Sequence, residues 1–336
     1  MNNRNFLSGD IHGGHARAGI VVEKEDGNLQ LDESTFRVIN SKENTDLDDV
    51  LTNSFDTVRD NFDGEIDGVS VSVASPVGGI SNVLNPANTA CLKAAVKEGG
   101  PCDLQAILQK RYETRSEVAA VLNDLQGEAA GLAGMGALGT PAPKHFILEN
   151  GGTGYGGART QNGRTNAAEP GHVKINSSGP FEPICGCGQT GCAEAYLGSD
   201  AVADRVIQVC RAKMIKIPEI DPNIFADQEA KKGTEWAVKH LREVANIWGG
   251  LWRDILQQFP GYEKILVTGS YLRAVIEIPD FLEEVRETLK ESSFPEAFSN
   301  IPIEPAPMPG IDGHPVAPMI GAADLLRQHL DALKSE

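Results

Sequence analysis

Apolar residues alternate with polar or small residues in several short stretches of the chain, as they do in β-strands. Two such stretches, 18–23 and 35–39, flank the turn dipeptide Asp26-Gly27, which predicts a β-hairpin. A second hairpin is predicted from residues 144–148 and 155–160, on either side of a glycine-rich turn. Further strands are predicted at residues 6–11, 68–73, 117–122, 264–267 and 301–303.

The helical period of 3.6 residues is typical of the other segments, and it dominates after residue 198. Residues 126–138 are rich in alanine and glycine, which indicates a helix that packs closely against a neighbour. A stretch from residue 163 to residue 191 shows no periodicity, so we expect a loop there. Helices are predicted at residues 44–61, 102–112, 126–138, 199–214, 281–291 and 318–333, with a further long helix within residues 228–258.

Strands and helices that alternate along 336 residues indicate an α/β protein, and this length fits two domains. We predict a first domain over residues 1–123, completed by a C-terminal helix at 318–334, and a second domain over residues 124–317. A strand, a glycine-rich turn and another strand occur near Asp10 and again near Gly152. Two similar domains would each offer such a turn to a phosphate chain.

Composition narrows the classes of function. The chain is 40% hydrophobic and 23% charged, as globular proteins are. Its formal net charge of −17 argues against nucleic acid as a partner, because nucleic-acid binding requires a basic surface. No apolar run approaches the roughly 18 residues of a membrane span, and no signal peptide is evident, so we expect a cytoplasmic protein.

Three of the six cysteines lie within eight residues. His172, Cys185, Cys187 and Cys192 give the spacing H-x12-C-x-C-x4-C, and three thiolates with one imidazole suit tetrahedral structural zinc. The glycines between these cysteines allow the backbone to turn tightly. Four protein ligands leave no open position, so we predict a structural zinc ion in the segment 169–196; the alternative is a set of unrelated free thiols.

This segment and four others resemble the ROK family of bacterial sugar kinases and repressors. Glu169-Pro-Gly-His172 and Cys185-Gly-Cys-Gly-Gln-Thr-Gly-Cys192-Ala-Glu194-Ala-Tyr196 are similar to the family's Glu-x-Gly-His and Cys-x-Cys-Gly-x-x-Gly-Cys-x-Glu-x-Tyr patterns. The stretch 152–157 looks like its second phosphate loop, 268–270 resembles its adenosine motif, and Ile320-Gly-Ala-Ala323 resembles its last helix. Asn123-Asp124 is similar to its catalytic Asn-Asp pair.

The resemblance implies a two-domain actin/hexokinase-like (ribonuclease H-like) fold with a structural zinc site, closing over ATP and a sugar. It implies a carbohydrate kinase that transfers a phosphoryl group from ATP, with Mg²⁺, to a hydroxyl of a hexose-like sugar, and it implies a dimer. Asp124 would be the general base, a role worth about 10²–10⁴-fold in rate. A plainer interpretation is that Asn123-Asp124 only caps the helix near residue 126.

The same resemblance implies two further groups of site residues. The sugar ligands would be Asn88, Asn123, Asp124, Glu169, His172 and Glu194. Such side chains offer the hydrogen-bond donors and acceptors that sugar hydroxyls need. The phosphate and nucleotide contacts would be Asp10, Gly13, Gly14, Gly152, Thr153, Gly154, Gly156, Gly157 and Gly269.

The first phosphate loop departs from the family pattern Asp-Ile-Gly-Gly-Thr. This chain has Asp10-Ile-His12-Gly13-Gly14, so His12 stands at the first glycine and Gly14 at the threonine. Two alternatives to an ATP-dependent kinase therefore stay open. One is an enzyme that uses another phosphate donor, or that acts differently on a sugar or sugar phosphate. The other is a non-catalytic sugar-binding regulator, although no helix-turn-helix segment precedes the first predicted strand.

Overall fold

A computed structural model of the chain describes residues 4–41, 43–44, 46–75, 77–78, 82–83, 89–99, 101–112, 119–175 and 183–334. These residues form a mixed α/β structure that divides into two compact units. The first unit comprises Met1–Pro143, Arg164–Ala167 and Pro307–Glu336, and the second comprises Lys144–Gly163 and Ala168–Ala306. No helix among the described residues is long and apolar enough to span a membrane.

Fifteen strands are found in the described part of the chain. They are β1 (Asn5–Ile11), β2 (His15–Glu23), β3 (Leu29–Asn40), β4 (Gly68–Val73), β5 (Val77–Gly78), β6 (Asn82–Val83), β7 (Cys102–Asp103), β8 (Ala119–Asn123), β9 (Phe146–Gly151), β10 (Tyr155–Gln161), β11 (Arg164–Ala168), β12 (Lys264–Thr268), β13 (Ile303–Pro305), β14 (Gly310–Ile311) and β15 (His314–Pro315).

Thirteen α-helices accompany them in the same described ranges. They are α1 (Leu47–Leu51), α2 (Thr57–Asp60), α3 (Ala90–Gly99), α4 (Leu104–Arg111), α5 (Asp124–Gly134), α6 (Glu194–Leu197), α7 (Ser199–Ala212), α8 (Pro222–Lys231), α9 (Glu235–Gln258), α10 (Ser270–Val275), α11 (Pro279–Lys290), α12 (Pro295–Ser299) and α13 (Ala317–Lys334). A π-helical turn (Thr52–Asp56) joins α1 to α2, and a 3₁₀ turn covers Pro170–His172.

The central sheet of the first unit has the strand order β3-β2-β1-β4-β8. β1, β2 and β3 are antiparallel neighbours, whereas β4 and β8 run parallel to β1. The predicted hairpin at Asp26-Gly27 is confirmed, and Gly27 adopts the left-handed φ of 81° that such a turn requires. β4 is buried along its whole length, as expected for a strand covered on both faces.

Helices α5 and α13 pack against each other through glycine. A Cβ atom at Gly131 would lie 1.9 Å from the carbonyl oxygen of Ala317, and one at Gly321 would lie 1.9 Å from that of Gly127. The alanine- and glycine-rich composition of α5 predicted this close contact. Because of it, α5 belongs to the first unit, which extends to Pro143 and not only to the predicted boundary at residue 123.

The second unit repeats the strand arrangement of the first. Its strands lie in the order β10-β9-β12-β13, in which β9 and β10 are antiparallel and β12 and β13 continue parallel to β9. The first unit has the same pattern in β2-β1-β4-β8. The repeated strand–turn–strand units noticed in the sequence are thus the first hairpins of two similar sheets. The core of the second unit includes the stacked rings of Trp248 and Trp252 from α9.

The structure corrects three expectations about the elements. The helix predicted at 44–61 is divided by the π-helical turn, whereas the long helix predicted within 228–258 is confirmed as α9 and follows a separate helix, α8. Gly233, with a φ of 78°, lies between these two helices, and a left-handed glycine is a common helix stop. The expected loop 163–191 contains β11 and the 3₁₀ turn, and α3 was not predicted.

Candidate functional site

Asp10 lies near the end of β1 and is wholly buried. The Ser72 hydroxyl donates a hydrogen bond to its Oδ1 atom, and Nη1 of Arg17 donates one to its Oδ2 atom, both at 2.6 Å. Strand register brings these residues together, since Asp10 pairs with Ser72 on β4 and with Arg17 on β2. Burial acts to raise the pKa of Asp10, but the positive charges of His12 and Arg17 outweigh it and lower the pKa.

The ring of His12 bridges two carboxylates. Its Nε2 atom lies 3.3 Å from Oδ2 of Asp10 and 3.8 Å from Oδ2 of Asp124. Burial opposes the charge on the imidazole, but Asp10 and then Asp124 outweigh burial and raise its pKa to about 9. His12 is therefore a cation at neutral pH.

Asp124 is the first residue of α5 and follows β8 directly. Burial raises the pKa of its carboxyl group, and the negative charge of Asp10 acts in the same direction, while His12 opposes both. Its side chain is 14% exposed. A carboxylate in this position is partly desolvated but is within reach of a cation, an arrangement that suits a proton acceptor.

Asn123 serves as the N-cap of α5. Its Oδ1 atom accepts hydrogen bonds from the backbone N–H groups of Leu125 and Gln126, and its Nδ2 atom donates to the carbonyl oxygen of Ser75. The predicted capping role therefore belongs to Asn123, and Asp124 is left for other contacts. These bonds hold the start of α5 to the loop after β4.

The turn between β1 and β2 is fixed by its own backbone and by Ser41. The N–H of His12 donates to the carbonyl oxygen of His15 at 2.9 Å, and the Ser41 hydroxyl donates to the carbonyl oxygen of His12 at 2.7 Å. The N–H of Ser41 also donates to the carbonyl oxygen of Gly14. A Cβ atom at Gly14 would meet nothing within 4 Å, so a side chain at this position has room.

The glycine-rich turn of the second unit lies between β9 and β10. Gly152 and Gly154 form the turn, with the N–H of Gly152 donating to the carbonyl oxygen of Gly154. A Cβ atom at Gly269, whose φ is 79°, would lie 2.6 Å from the carbonyl oxygen of Gly151. The second unit therefore brings the predicted nucleotide contact Gly269 to the beginning of this turn. Thr153, at its tip, is exposed.

Gly156 and Gly157 lie within β10 and pair with β9. A Cβ atom at Gly157 would be 2.7 Å from the carbonyl oxygen of Leu148. The missing side chain thus allows close packing within the sheet at this position.

The predicted metal ligands lie together in the second unit. The ligand atoms of His172, Cys185, Cys187 and Cys192 are all within 4.8 Å of one another. Sγ of Cys187 and Sγ of Cys192 are 3.7 Å apart, as are Sγ of Cys185 and Nδ1 of His172. Sulfurs about 2.3 Å from a tetrahedral zinc ion would be separated by about 3.8 Å, whereas a disulfide requires about 2.05 Å. The donor set and its spacing fit a tetrahedral zinc ion.

Glu194 links this cluster to the glycine-rich turn. Its Oε2 atom accepts a hydrogen bond from the backbone N–H of Tyr155, and its Oε1 atom lies 3.3 Å from Sγ of Cys185. A Cβ atom at Gly154 would be 2.7 Å from Oε2 of Glu194, so a larger residue there would displace the carboxylate. Glu169 and His172 lie at the two ends of the neighbouring 3₁₀ turn, and both are exposed.

The sequence did not reveal two partners of Asp10, namely Arg17 and Ser72. Arg17 is the only charged residue inside the otherwise apolar and small stretch 16–22, a signal that it faces a buried acid. Ser72 carried no such signal, because several serines occur in β4. Asn88, a predicted sugar ligand, lies outside the described residues.

The model of the ROK family matches residues 9–329 of the chain. The chain belongs to the ROK family. A search of curated proteins found no match. Solved structures with the same fold include "a ROK family glucokinase from Streptomyces griseus in complex with glucose and AMPPNP", with a TM-score of 0.64 and 21% identity, covering 96% of this chain and 99% of that chain.

Two other solved structures show how widely this fold is used. A ROK hexokinase from Thermus thermophilus has a TM-score of 0.67 and 16% identity, covering 96% of this chain and 99% of that chain. A ROK family transcriptional regulator, a homologue of the E. coli MLC protein, has a TM-score of 0.69 and 18% identity, covering 97% of this chain and 78% of that one. The predicted actin/hexokinase-like fold is thereby confirmed, and the choice between catalysis and regulation depends on the site residues.

Proposed function

We propose that this ROK-family protein is a carbohydrate kinase that transfers the γ-phosphoryl group of ATP to a hydroxyl of a hexose-like sugar. The observation that carries the proposal is the placement of Asp124. Its carboxylate is mostly buried, stands at the start of a capped helix and lies beside the His12 cation. A sugar hydroxyl is a weak nucleophile, and a fixed carboxylate is the kind of base that activates it.

In the proposed reaction, Asp124 accepts the hydroxyl proton as the sugar oxygen bonds to the γ-phosphorus. The bond between that phosphorus and the bridging oxygen breaks, and ADP leaves with the electron pair. Catalysis of this kind depends mainly on positioning and on neutralising charge. Mg²⁺ bound with ATP would neutralise phosphate charge. We assign it to the phosphates, because both oxygens of Asp10 already accept contacts from Ser72, Arg17 and His12.

We assign the ATP phosphates to glycine turns in both units. Turns whose backbone N–H groups point to one side bind anions without needing a basic side chain, which suits a chain with a net charge of −17. The close approach of Gly269 to the start of the second turn supports this assignment. The proposed contacts are Gly13, Gly14, Gly152, Thr153, Gly154 and Gly269, with Asp10 supporting the first turn.

We assign sugar binding to Asp124, Glu169, His172 and Glu194. The contact between Glu194 and Cys185 supports a structural role for the metal cluster in this binding. Zinc held by His172, Cys185, Cys187 and Cys192 would replace an apolar core in this segment and would fix the position of Glu194. Asn123 contributes indirectly, because its amide group is engaged in capping α5.

One observation favours a second candidate, an enzyme of the same type with a phosphate donor other than ATP. The imidazole of His12 occupies the place where the family has only a glycine hydrogen, and its side chain is 34% exposed. This ring narrows the space beside the first turn. A smaller donor, such as polyphosphate or another phosphorylated compound, would need less of that space.

A screen of sugars against phosphate donors tests both candidates. We expect a phosphorylated sugar with at least one combination of a hexose-like sugar and ATP or polyphosphate. Asp124→Asn should reduce turnover by about 10²-fold or more, while calorimetry still detects sugar binding. Asp49→Asn, which makes the same change at an exposed carboxylate on α1, is the control. Sugar binding without turnover for any donor would instead support the regulator.

A further inference from the structure

His12 is held more firmly than an ordinary turn residue. Its backbone N–H and carbonyl groups are bonded to His15 and Ser41, and its Nε2 atom contacts Asp10. Asp10 is itself fixed by Ser72 and Arg17. These contacts hold the backbone of His12 in place, and its imidazole lies between Asp10 and Asp124.

The charges around His12 come from three elements. Asp10 faces it from β1, Arg17 from β2 and Asp124 from α5. Arg17 bonds to Asp10, and its charge acts against that of His12. Among the cationic side chains that the structure describes, that of His12 lies 3.8 Å from Oδ2 of Asp124. Without the charge of His12, the carboxylate of Asp124 would lose the cation that opposes the effects of burial and of Asp10 on its pKa.

We propose that His12 is a positioning residue that keeps the carboxylate of Asp124 ionised and oriented for proton acceptance. This inference rests on the function proposed above, since it assigns Asp124 the role of base. It also explains why this chain has a histidine at a glycine position: the imidazolium ring supplies a built-in positive charge between two carboxylates. His12 does not itself contact the reacting atoms in this scheme.

The expected pH dependence has a definite sign. Burial and Asp10 both raise the pKa of Asp124, and His12 opposes them. Removing the imidazolium should therefore raise the pKa of Asp124, so that Asp124 becomes protonated at a higher pH. A neighbouring opposite charge typically lowers a carboxyl pKa by about 1–3 units, so the acid limb of kcat/KM should move upward by about that amount.

The first experiment compares pH profiles of the full chain. His12→Gln keeps an N–H donor near the position of Nε2 but removes the charge. We expect its acid limb to move upward while the Kd for the sugar changes less than about twofold, and we expect His12→Lys to reverse part of the shift. His329→Gln, on the exposed face of α13, is the control. An acid limb that stays in place in His12→Gln would overturn the proposal.

The second experiment needs no turnover. NMR titration of the imidazole rings should show a histidine with a pKa near 9, and His12→Gln should remove that signal. Asp124→Asn should lower this pKa by about 1 unit or more, because one of the two facing carboxylates becomes neutral. An unchanged pKa of His12 in Asp124→Asn would overturn the pairing of His12 with Asp124, even if the protein is an active kinase. If no donor gives turnover but the pKa falls, the proposed function fails and the pairing of His12 with Asp124 stands.

Discussion

Gly131→Ala tests the packing that places α5, and with it Asp124. The new methyl group would lie 1.9 Å from the carbonyl oxygen of Ala317 and 2.7 Å from its carbonyl carbon. Both are backbone atoms of α13, so no side-chain rotation relieves the contact. The two helices would have to separate by about 1.5 Å to restore ordinary contact distances.

Two effects of opposite sign determine the stability change. Alanine is favoured over glycine inside a helix by about 1 kcal/mol. Overpacking a close contact costs about 1–3 kcal/mol, and more when the obstacle is backbone. Because the contact is so short, we expect a net loss of about 2–3 kcal/mol in the free energy of unfolding. That loss corresponds to a decrease in Tm of roughly 4–12 °C.

Gly134→Ala is the matched control on the same helix. A Cβ atom there would be 3.7 Å from the carboxyl group of Asp324, an ordinary contact distance. We therefore expect Gly134→Ala to leave the Tm unchanged or to raise it slightly. The Tm values of the two variants and the wild type can be compared from calorimetric or CD melting curves. Equal Tm values for Gly131→Ala and the wild type would refute the close packing of α5 on α13.

Two further predictions concern the metal cluster and the cap of α5. Purified protein should contain about one equivalent of zinc per chain. Cys192→Ser should lose most of this zinc, whereas Cys210→Ala, in the same unit but outside the cluster, should keep it. A zinc content below about half an equivalent in the wild type would contradict the assignment. Asn123→Ala should lower the free energy of unfolding by about 0.5–2 kcal/mol, measured by urea denaturation. Asn123→Ser should lower it much less, because serine can also cap a helix. Equal losses in the two variants would rule out capping.

Local chemistry decided much of what the sequence predicted correctly. Asp26-Gly27 lies in a hairpin because a tight turn of a few residues, here between Lys24 and Asn28, depends mainly on the residues within it. Cys185, Cys187 and Cys192 are close in the structure because they lie inside one segment of eight residues that also contains glycines. The small residues of α5 indicated close packing, although they did not identify α13 as the partner.

Only the tertiary structure decided the electrostatics of Asp10, His12 and Asp124. Asp10 and Ser72 are 62 residues apart in sequence, and strand register alone makes them neighbours. The sequence showed His12 as a departure from a glycine pattern, but not that its ring faces Asp124, which α5 carries. The effect of a charge depends on its distance from other charges and on burial, and both are set by the packing of elements that are distant in the chain.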